Sequence, residues 1–383
     1  MRVLTWSAYL LMACQGYLIY VIGLITPYVR EDLGAPTWAA ALPNSAMAIG
    51  LLAGGAIAGR VNDRIGPRYA VRAWAGTMAL AGVLLAIPVS IAPILVGAFI
   101  FGVSVGGVLV HVNSALGIGP RGGTLLTRAN VWSVVGSLAG PLILAAAAIS
   151  VGWWLGALVP IPLLVALMFV LPASPARDRP AAAGDGGGRL PHLYWMTWLF
   201  LALSIGAEFS FVAWGSQVVV AQAGITVVEG TRLASLYVLG MITGRLALSA
   251  GLGHGSRSIV VLRGGAALAV AGAAVTWLAT EPAVAGLGLL LGGLGISAIF
   301  PLGTSLALAH APGAPVRASA RLTAASGVAI LCAPLGLGFV AGAVGVPGAW
   351  LIVLAMLALA LVIVLRIPAP RMPLAQLEVV TPA

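Results

Sequence analysis

The sequence predicts an all-α membrane protein with twelve transmembrane helices in two pseudo-symmetric six-helix bundles, and three observations predict it. Charge is confined to short connectors: stretches 73–120 and 129–176 each run 48 residues without Asp, Glu, Lys or Arg and are flanked by arginines. Each has room for two crossings, because a helix spans a bilayer with about 20 apolar residues at 1.5 Å rise per residue. Similar blocks occupy 3–29, 33–59, 282–309 and 322–365. The basic residues, all arginine, are sorted by side: with the N-terminus in the cytoplasm, 17 of 19 fall inside, and only Arg30 and Arg232 fall outside. The halves also echo each other, as set out below.

In order, the apolar runs and their punctuation place crossings at 5–28, 38–59, 70–89, 92–118, 129–150 and 153–171. Residues 172–192 form a cytoplasmic linker, since Pro175, Pro180, Gly184 and the run Gly186, Gly187, Gly188 bury little. Six more crossings follow at 194–222, 232–250, 260–279, 283–309, 320–343 and 347–366. The expected units are an N-terminal bundle 1–171, the linker, a C-terminal bundle 193–367 and a short cytoplasmic tail 368–383. Leu11, Met12, Ala13 and Cys14 loosely resemble a lipoprotein cleavage site, but the apolar run continues past Cys14 at spanning length. The segment therefore reads as the first crossing of a multi-pass plasma (inner) membrane protein, with both termini cytoplasmic.

Composition excludes other classes. Hydrophobic residues make up 61% and charged residues 7%, against about 25% charged in soluble domains. The net charge of +10 comes from arginines scattered over connectors, which argues against a nucleic-acid partner. Cys14 and Cys332 lie in separate apolar segments and suit neither a disulfide framework nor a metal site. No metal or cofactor is expected. There is no H-E-x-x-H, no G-x-S-x-G and no lysine for a Walker A loop, so hydrolases and ATP-driven pumps are disfavoured.

The internal echo has a definite register. At an offset of 193, Arg128, Ser133 and Pro141 fall on Arg321, Ser326 and Pro334, and Gly102, Val103, Ser104 fall on Gly295, Ile296, Ser297. At an offset of 185, Gly55, Gly59, Arg60 fall on Gly240, Gly244, Arg245. Duplicated halves are the layout of secondary transporters, with the substrate near the midplane between them.

The connector Gly59, Arg60, Val61, Asn62, Asp63, Arg64, Ile65, Gly66, Pro67, Arg68 resembles the G-x-x-x-D-R-x-G-R-[RK] signature of the major facilitator superfamily. Gly59, Asp63, Arg64, Gly66 and Arg68 match, and Pro67 stands where an arginine is usual. The resemblance implies two bundles rocking about a central cavity, a monomer, and a cytoplasmic gate made of these five residues with Arg128 and Arg321. A carboxylate among arginines can latch that rim by charge-assisted hydrogen bonds and favour the outward-open state.

Within that superfamily, Gly206, Ala207, Glu208, Phe209, Ser210 with Trp214, and Ile299, Phe300, Pro301 with Ser305, Leu306, Ala307, resemble the fucose/proton symporter and bypass-of-stop-codon type branch. The acid those symporters carry in the first helix is replaced here by the polar groups Gln15 and Tyr20. Gly136, Ser137, Leu138, Ala139, Gly140, Pro141 is similar to the start of the drug and proton antiporter motif, whose last glycines are replaced by Leu144 and Ala145. The expected activity is alternating-access transport of a small organic solute, coupled to protons, with symport of a sugar-like polar solute favoured. Proton-driven drug or metabolite efflux and a non-transporting membrane sensor are the alternatives.

Glu208 is the only acid well inside a crossing. A charge at that depth costs about 2.5 to 3.5 kcal/mol on insertion scales, which suits a wet or intermittently protonated site and hence proton coupling. The competing reading is a structural acid bonded within its bundle. Ser204, Glu208 and Gly215 share one helical face, whereas Gln217 points away. His111 is the second coupling candidate, because imidazole changes charge near neutral pH. Ser104, Gly107, His111 and Ser114 share one side of the fourth helix, and Gly102, Gly106 and Asn113 the other. The expected cavity groups are Gln15, Tyr20, Ser104, Asn113, Asn130, Trp132, Ser204, Ser297 and Thr304.

Overall fold

The computed structural model describes residues 2–116, 122–170, 189–248, 258–311 and 314–368. Parts of the expected linker and tail lie outside them, as do the side chains of Arg68 and Asn113. Fifteen helices are described: α1 (Arg2–Leu24), α2 (Thr26–Leu33), α3 (Thr37–Ala40), α4 (Leu42–Leu85), α5 (Ile91–Leu116), α6 (Gly122–Ser150), α7 (Leu155–Leu158), α8 (Ile161–Val170), α9 (His192–Ala223), α10 (Val227–Ala247), α11 (Ser258–Leu278), α12 (Pro282–Ile296), α13 (Ile299–Ala309), α14 (Pro315–Ala349) and α15 (Leu351–Arg366).

Among the described residues eight helical stretches are long and apolar enough to cross a membrane, and Tyr69–Leu85, Leu155–Phe169 and Leu351–Arg366 are shorter apolar ones. The 21-residue α10, more polar through Glu229, Arg232 and Arg245, supplies the remaining crossing at about 1.5 Å per residue. Where the helices differ from the expected spans, glycine and proline explain it. The second and third crossings are the two limbs of α4, joined with no intervening loop at a sharp, non-helical kink at Gly66, whose φ of 79° lies in the left-handed region that favours glycine. Gly345, at φ 78°, turns α14 in the same way before the last crossing. The tenth crossing is split into α12 and α13 at Ser297 and Ala298, because Pro301 has no N–H for the Ser297 carbonyl. Pro160 and Pro162 likewise separate α7 from α8.

Helix contacts are close because small residues line them, which is how helices gain packing energy in a medium as apolar as their own side chains. A Cβ on Gly102 would strike the Met47 carbonyl, and one on Gly293 would strike the Tyr237 carbonyl. The two largest fully buried side chains satisfy their polar atoms: the Trp214 indole N–H donates to the Pro334 carbonyl and that of Trp350 to the Ala273 carbonyl, each at 3.0 Å. The echo in sequence reappears as paired caps. Arg72, in the third crossing, donates to the Phe169 carbonyl at the end of the sixth, and Arg263, in the ninth, donates to the carbonyls of Val364, Leu365 and Ile367 at the end of the twelfth. Each satisfies helix-end carbonyls that have no partner of their own.

The two halves meet along α1, α2, α3 and α4 on one side and α9, α10 and α14 on the other, with α6 against α10. Their contacts are dense at the end carrying Arg30. Arg30 donates to Gln217 at 3.2 Å, Tyr28 and Thr231 share a 2.9 Å hydrogen bond, and Ser45 donates to the Leu331 carbonyl at 3.1 Å. Trp38 stacks on Phe339 with centroids 5.6 Å apart. Nearer mid-depth, Gly327 of α14 packs on Leu52 of α4.

Candidate functional site

At mid-depth the seam between the halves holds a cluster drawn from α1, α9 and α10. Phe211 of α9 stacks on Tyr237 of α10, ring centroids 5.0 Å apart and 12° from parallel. This contact sets the register of the two antiparallel helices. Glu208 lies one turn below Phe211 on the same face of α9, and Met241 and Arg245 lie one and two turns below Tyr237 on the same face of α10. Tyr20 crosses from α1 and places its hydroxyl 3.2 Å from the Met241 sulfur. Among the described residues, Arg245, Tyr20 and Tyr237 are the groups that interact electrostatically with Glu208.

Glu208 is partly exposed, whereas the surrounding Ile205, Gly206, Ala207 and Ser210 are buried. Arg245 sits deep. Its neighbour Gly244 packs on Ser297, at the break halfway along the α12–α13 crossing. Tyr237 is 2% exposed, and its hydroxyl has no hydrogen-bond partner.

The other expected cavity groups are distributed more widely. Gln15 is buried, with its side-chain oxygen unpartnered. Ser204 donates to the Phe200 carbonyl at 2.8 Å, and Ser297 donates to the Leu294 carbonyl at 2.6 Å, so both hydroxyls are engaged within their own helices. Thr304 has an unpartnered hydroxyl on α13. Trp132 packs edge-on against Trp6 at 5.8 Å, and Asn130, two residues earlier on α6, is exposed.

The two sides of the fourth crossing, either of which could have faced the cavity, are both taken by α4. Gly102 and Gly106 meet its first limb at Met47, Leu51, Gly54 and Gly55, while Gly107 meets Trp74 of the second limb. Ser104 shares a 2.7 Å hydrogen bond with Thr77 of that second limb. His111, one turn from Gly107, is buried on this α4-facing side and is not among the groups acting on Glu208.

At the opposite end from Arg30, Asp63 and Arg64 are exposed with Gly59 and Gly66 half-buried, and Arg128 is exposed. Arg321 lies over the Trp195 ring at 5.1 Å, and the Trp198 indole donates to its carbonyl at 3.0 Å, which fixes it within the C-terminal half.

Arg245, Tyr237, Met241 and Phe211 stand around Glu208 or its neighbours in the structure, and sequence reasoning did not single them out. The positive-inside pattern had absorbed Arg245 as a rim anchor. The available signal was its position five residues inside the expected 232–250 crossing.

Comparison with known proteins decides what this scaffold is. The family model described as Major Facilitator Superfamily matches residues 6–316. The chain belongs to the Major Facilitator Superfamily. No curated protein matches the sequence, but solved structures match over nearly the whole chain. A bacterial homologue of the human lysosomal transporter Spinster, inward-facing and occupied, has 12% identity and a TM-score of 0.72 over 94% of this chain and 95% of its own. A D-xylose–proton symporter has 14% identity and a TM-score of 0.71 over 97% and 98%. The human organic anion transporter TETRAN has 17% identity and a TM-score of 0.64 over 95% and 99%. Identities this low establish a shared fold. The chain is therefore a multi-pass membrane transporter of small molecules, not an enzyme.

Proposed function

We propose that this transporter is a proton-coupled symporter of a small polar organic solute, with Glu208 as the proton carrier. The observation that carries the reading is the placement of Glu208: an acid deep in the bundle seam, partly exposed, and within electrostatic reach of Arg245 and of tyrosines from both halves. A carboxyl there exists either charged and balanced by Arg245 or protonated and neutral, and switching between these forms is what couples a proton to a change of state. The structural relatives include an organic anion transporter, a D-xylose–proton symporter and a bacterial homologue of a human lysosomal transporter, so the fold leaves solute charge open.

The proposed orientation follows the arginine bias, with both termini in the cytoplasm of a plasma membrane protein and the six-plus-six division at the 172–192 linker. Under it, the seam closed by Arg30–Gln217, Tyr28–Thr231 and Trp38–Phe339 is the outer one, and the structure is inward-facing. Asp63 carries no ion pair among the described residues, which fits a rim latch that forms in the opposite, outward-open state.

The test is solute-dependent proton flux in proteoliposomes, with the native chain and Glu208→Gln reconstituted side by side and sugars, polyols and organic acids added in turn. Flux abolished by the substitution supports the reading. Unchanged flux in Glu208→Gln removes Glu208 from the mechanism.

A further inference from the structure

Resting on the reading of Glu208 as the proton carrier, the geometry points to a solute that bears a carboxylate or an equivalent small anionic group, docked on the Arg245 guanidinium with the Tyr237 hydroxyl beside it. Three observations converge. The Arg245 side chain makes no hydrogen bond or ion pair among the described residues, although it stands beside the middle of the α12–α13 crossing, where Gly244 meets Ser297. Its interaction with Glu208 acts through space, with no hydrogen bond joining the two side chains. Tyr237, which is 2% exposed and shares the same face of α10, keeps a hydroxyl with no partner.

Buried polar groups are normally satisfied, and the buried Tyr237 hydroxyl is not, which leaves it able to take a partner from a bound solute. A guanidinium presents five donors and no acceptor, in a fork that matches a carboxylate bidentately. A neutral polyol leaves that charge without a counter-charge whenever Glu208 is protonated. An anion neutralises it. The remaining conflict is between the solute's charge and that of Glu208, and a proton on Glu208 removes it. Solute and proton thus bind together and leave together, which gives symport its stoichiometric basis.

The charged and titratable groups around Glu208 come from few helices. Tyr20 comes from α1, and Tyr237 and Arg245 come from α10. Arg321 of α14 is held at Trp195 and Trp198, and His310, just after α13, bonds to Thr197, so these sites lie nearly three turns or more along α9 from Glu208. Arg263 of α11 is spent on the α15 terminus. Arg317 of α14 is half-buried and is not among the groups acting on Glu208, for which Arg245 is the described cation.

The test uses the full chain in detergent and three probe pairs that differ in charge: glucuronate and glucose, nicotinate and nicotinamide, benzoate and benzyl alcohol. A ligand that binds only the folded state raises the melting temperature. The expected result is stabilisation by at least one carboxylate and by none of the neutral partners. Arg245→Gln is expected to weaken this binding roughly 10- to 150-fold, the range for a hydrogen bond to a charged group. Arg245→Lys keeps the charge but loses the fork, retains a weakened response, and serves if the Gln variant does not fold.

The inference is overturned if carboxylates and neutral partners act alike on the native chain, including by both failing to act, or if Arg245→Gln responds as the native chain does. The two readings fail separately. A neutral sugar that drives proton flux lost in Glu208→Gln but kept in Arg245→Gln ends the anion assignment and leaves proton coupling standing. Arg245-dependent carboxylate binding with flux indifferent to Glu208 does the reverse.

Discussion

The two bundles share one scaffold and divide the chemistry unequally. Arg60 and Arg245 occupy equivalent repeat positions, yet Arg60 is exposed on the connector while Arg245 stands half-buried within reach of Glu208. Ser104 is tied to Thr77 inside its own bundle, whereas its counterpart Ser297 packs against Gly244, next to Arg245. Among the described residues the N-terminal bundle brings no acid to the cluster around Glu208; it contributes Tyr20 there and, at the sealed end, Tyr28 and Arg30 with Glu31 beside them. Duplication supplied two equal frames, and charge was installed in one of them. On the proposed reading, the C-terminal bundle carries coupling and the N-terminal bundle provides the surface it closes against.

The sharpest way to break this comparison is to neutralise the equivalent arginines. Arg245→Gln is expected to lower solute-driven flux roughly 10- to 150-fold, the range for losing a hydrogen bond to a charged group. Arg60→Gln is expected to leave the rate within about twofold, as exposed charges contribute little. Equal losses at the two sites would mean that both bundles carry the chemistry.

Packing gives a second contrast, inside the C-terminal bundle. Gly293→Ala drives a Cβ into the Tyr237 carbonyl and should cost about 1 to 3 kcal/mol of stability, the range for overpacking. Gly264→Ala meets nothing within 4 Å and should be neutral or slightly stabilising, since alanine favours helix by about 1 kcal/mol. Thermal melts of the purified variants read both.

The smallest expected effect is at the seal. Tyr28→Phe removes the 2.9 Å hydrogen bond to Thr231, a loss of about 1 kcal/mol, or roughly fivefold in the balance between closed and open outer ends. Spin-label distances between residues near Asp32 and residues near Gln222 should show the longer population growing. An unchanged distribution would place the seal in the Trp38–Phe339 and Ser45–Leu331 contacts instead.

The sequence made the helices and their pairing legible because charge exclusion and an internal repeat are long-range signals that survive local uncertainty. Glu208 was legible for the same reason, as an acid alone in a charge-free block. Its partners were not. Arginine at a helix end reads as an ordinary positive-inside anchor, and only the tertiary register of Phe211 on Tyr237 shows that Arg245 reaches inward. Helical faces were legible as well, but not what covers them. Both faces of the fourth crossing looked available until the bend at Gly66 laid one limb of α4 over each.

The most direct test of the division of labour compares Glu208→Gln with Tyr20→Phe in proteoliposomes, measuring pH-driven accumulation and solute counterflow in the same preparation. The account predicts that Glu208→Gln loses accumulation but keeps exchange, while Tyr20→Phe keeps proton-driven accumulation with a changed KM. Accumulation that survives in Glu208→Gln and disappears in Tyr20→Phe would place coupling in the N-terminal bundle and contradict it.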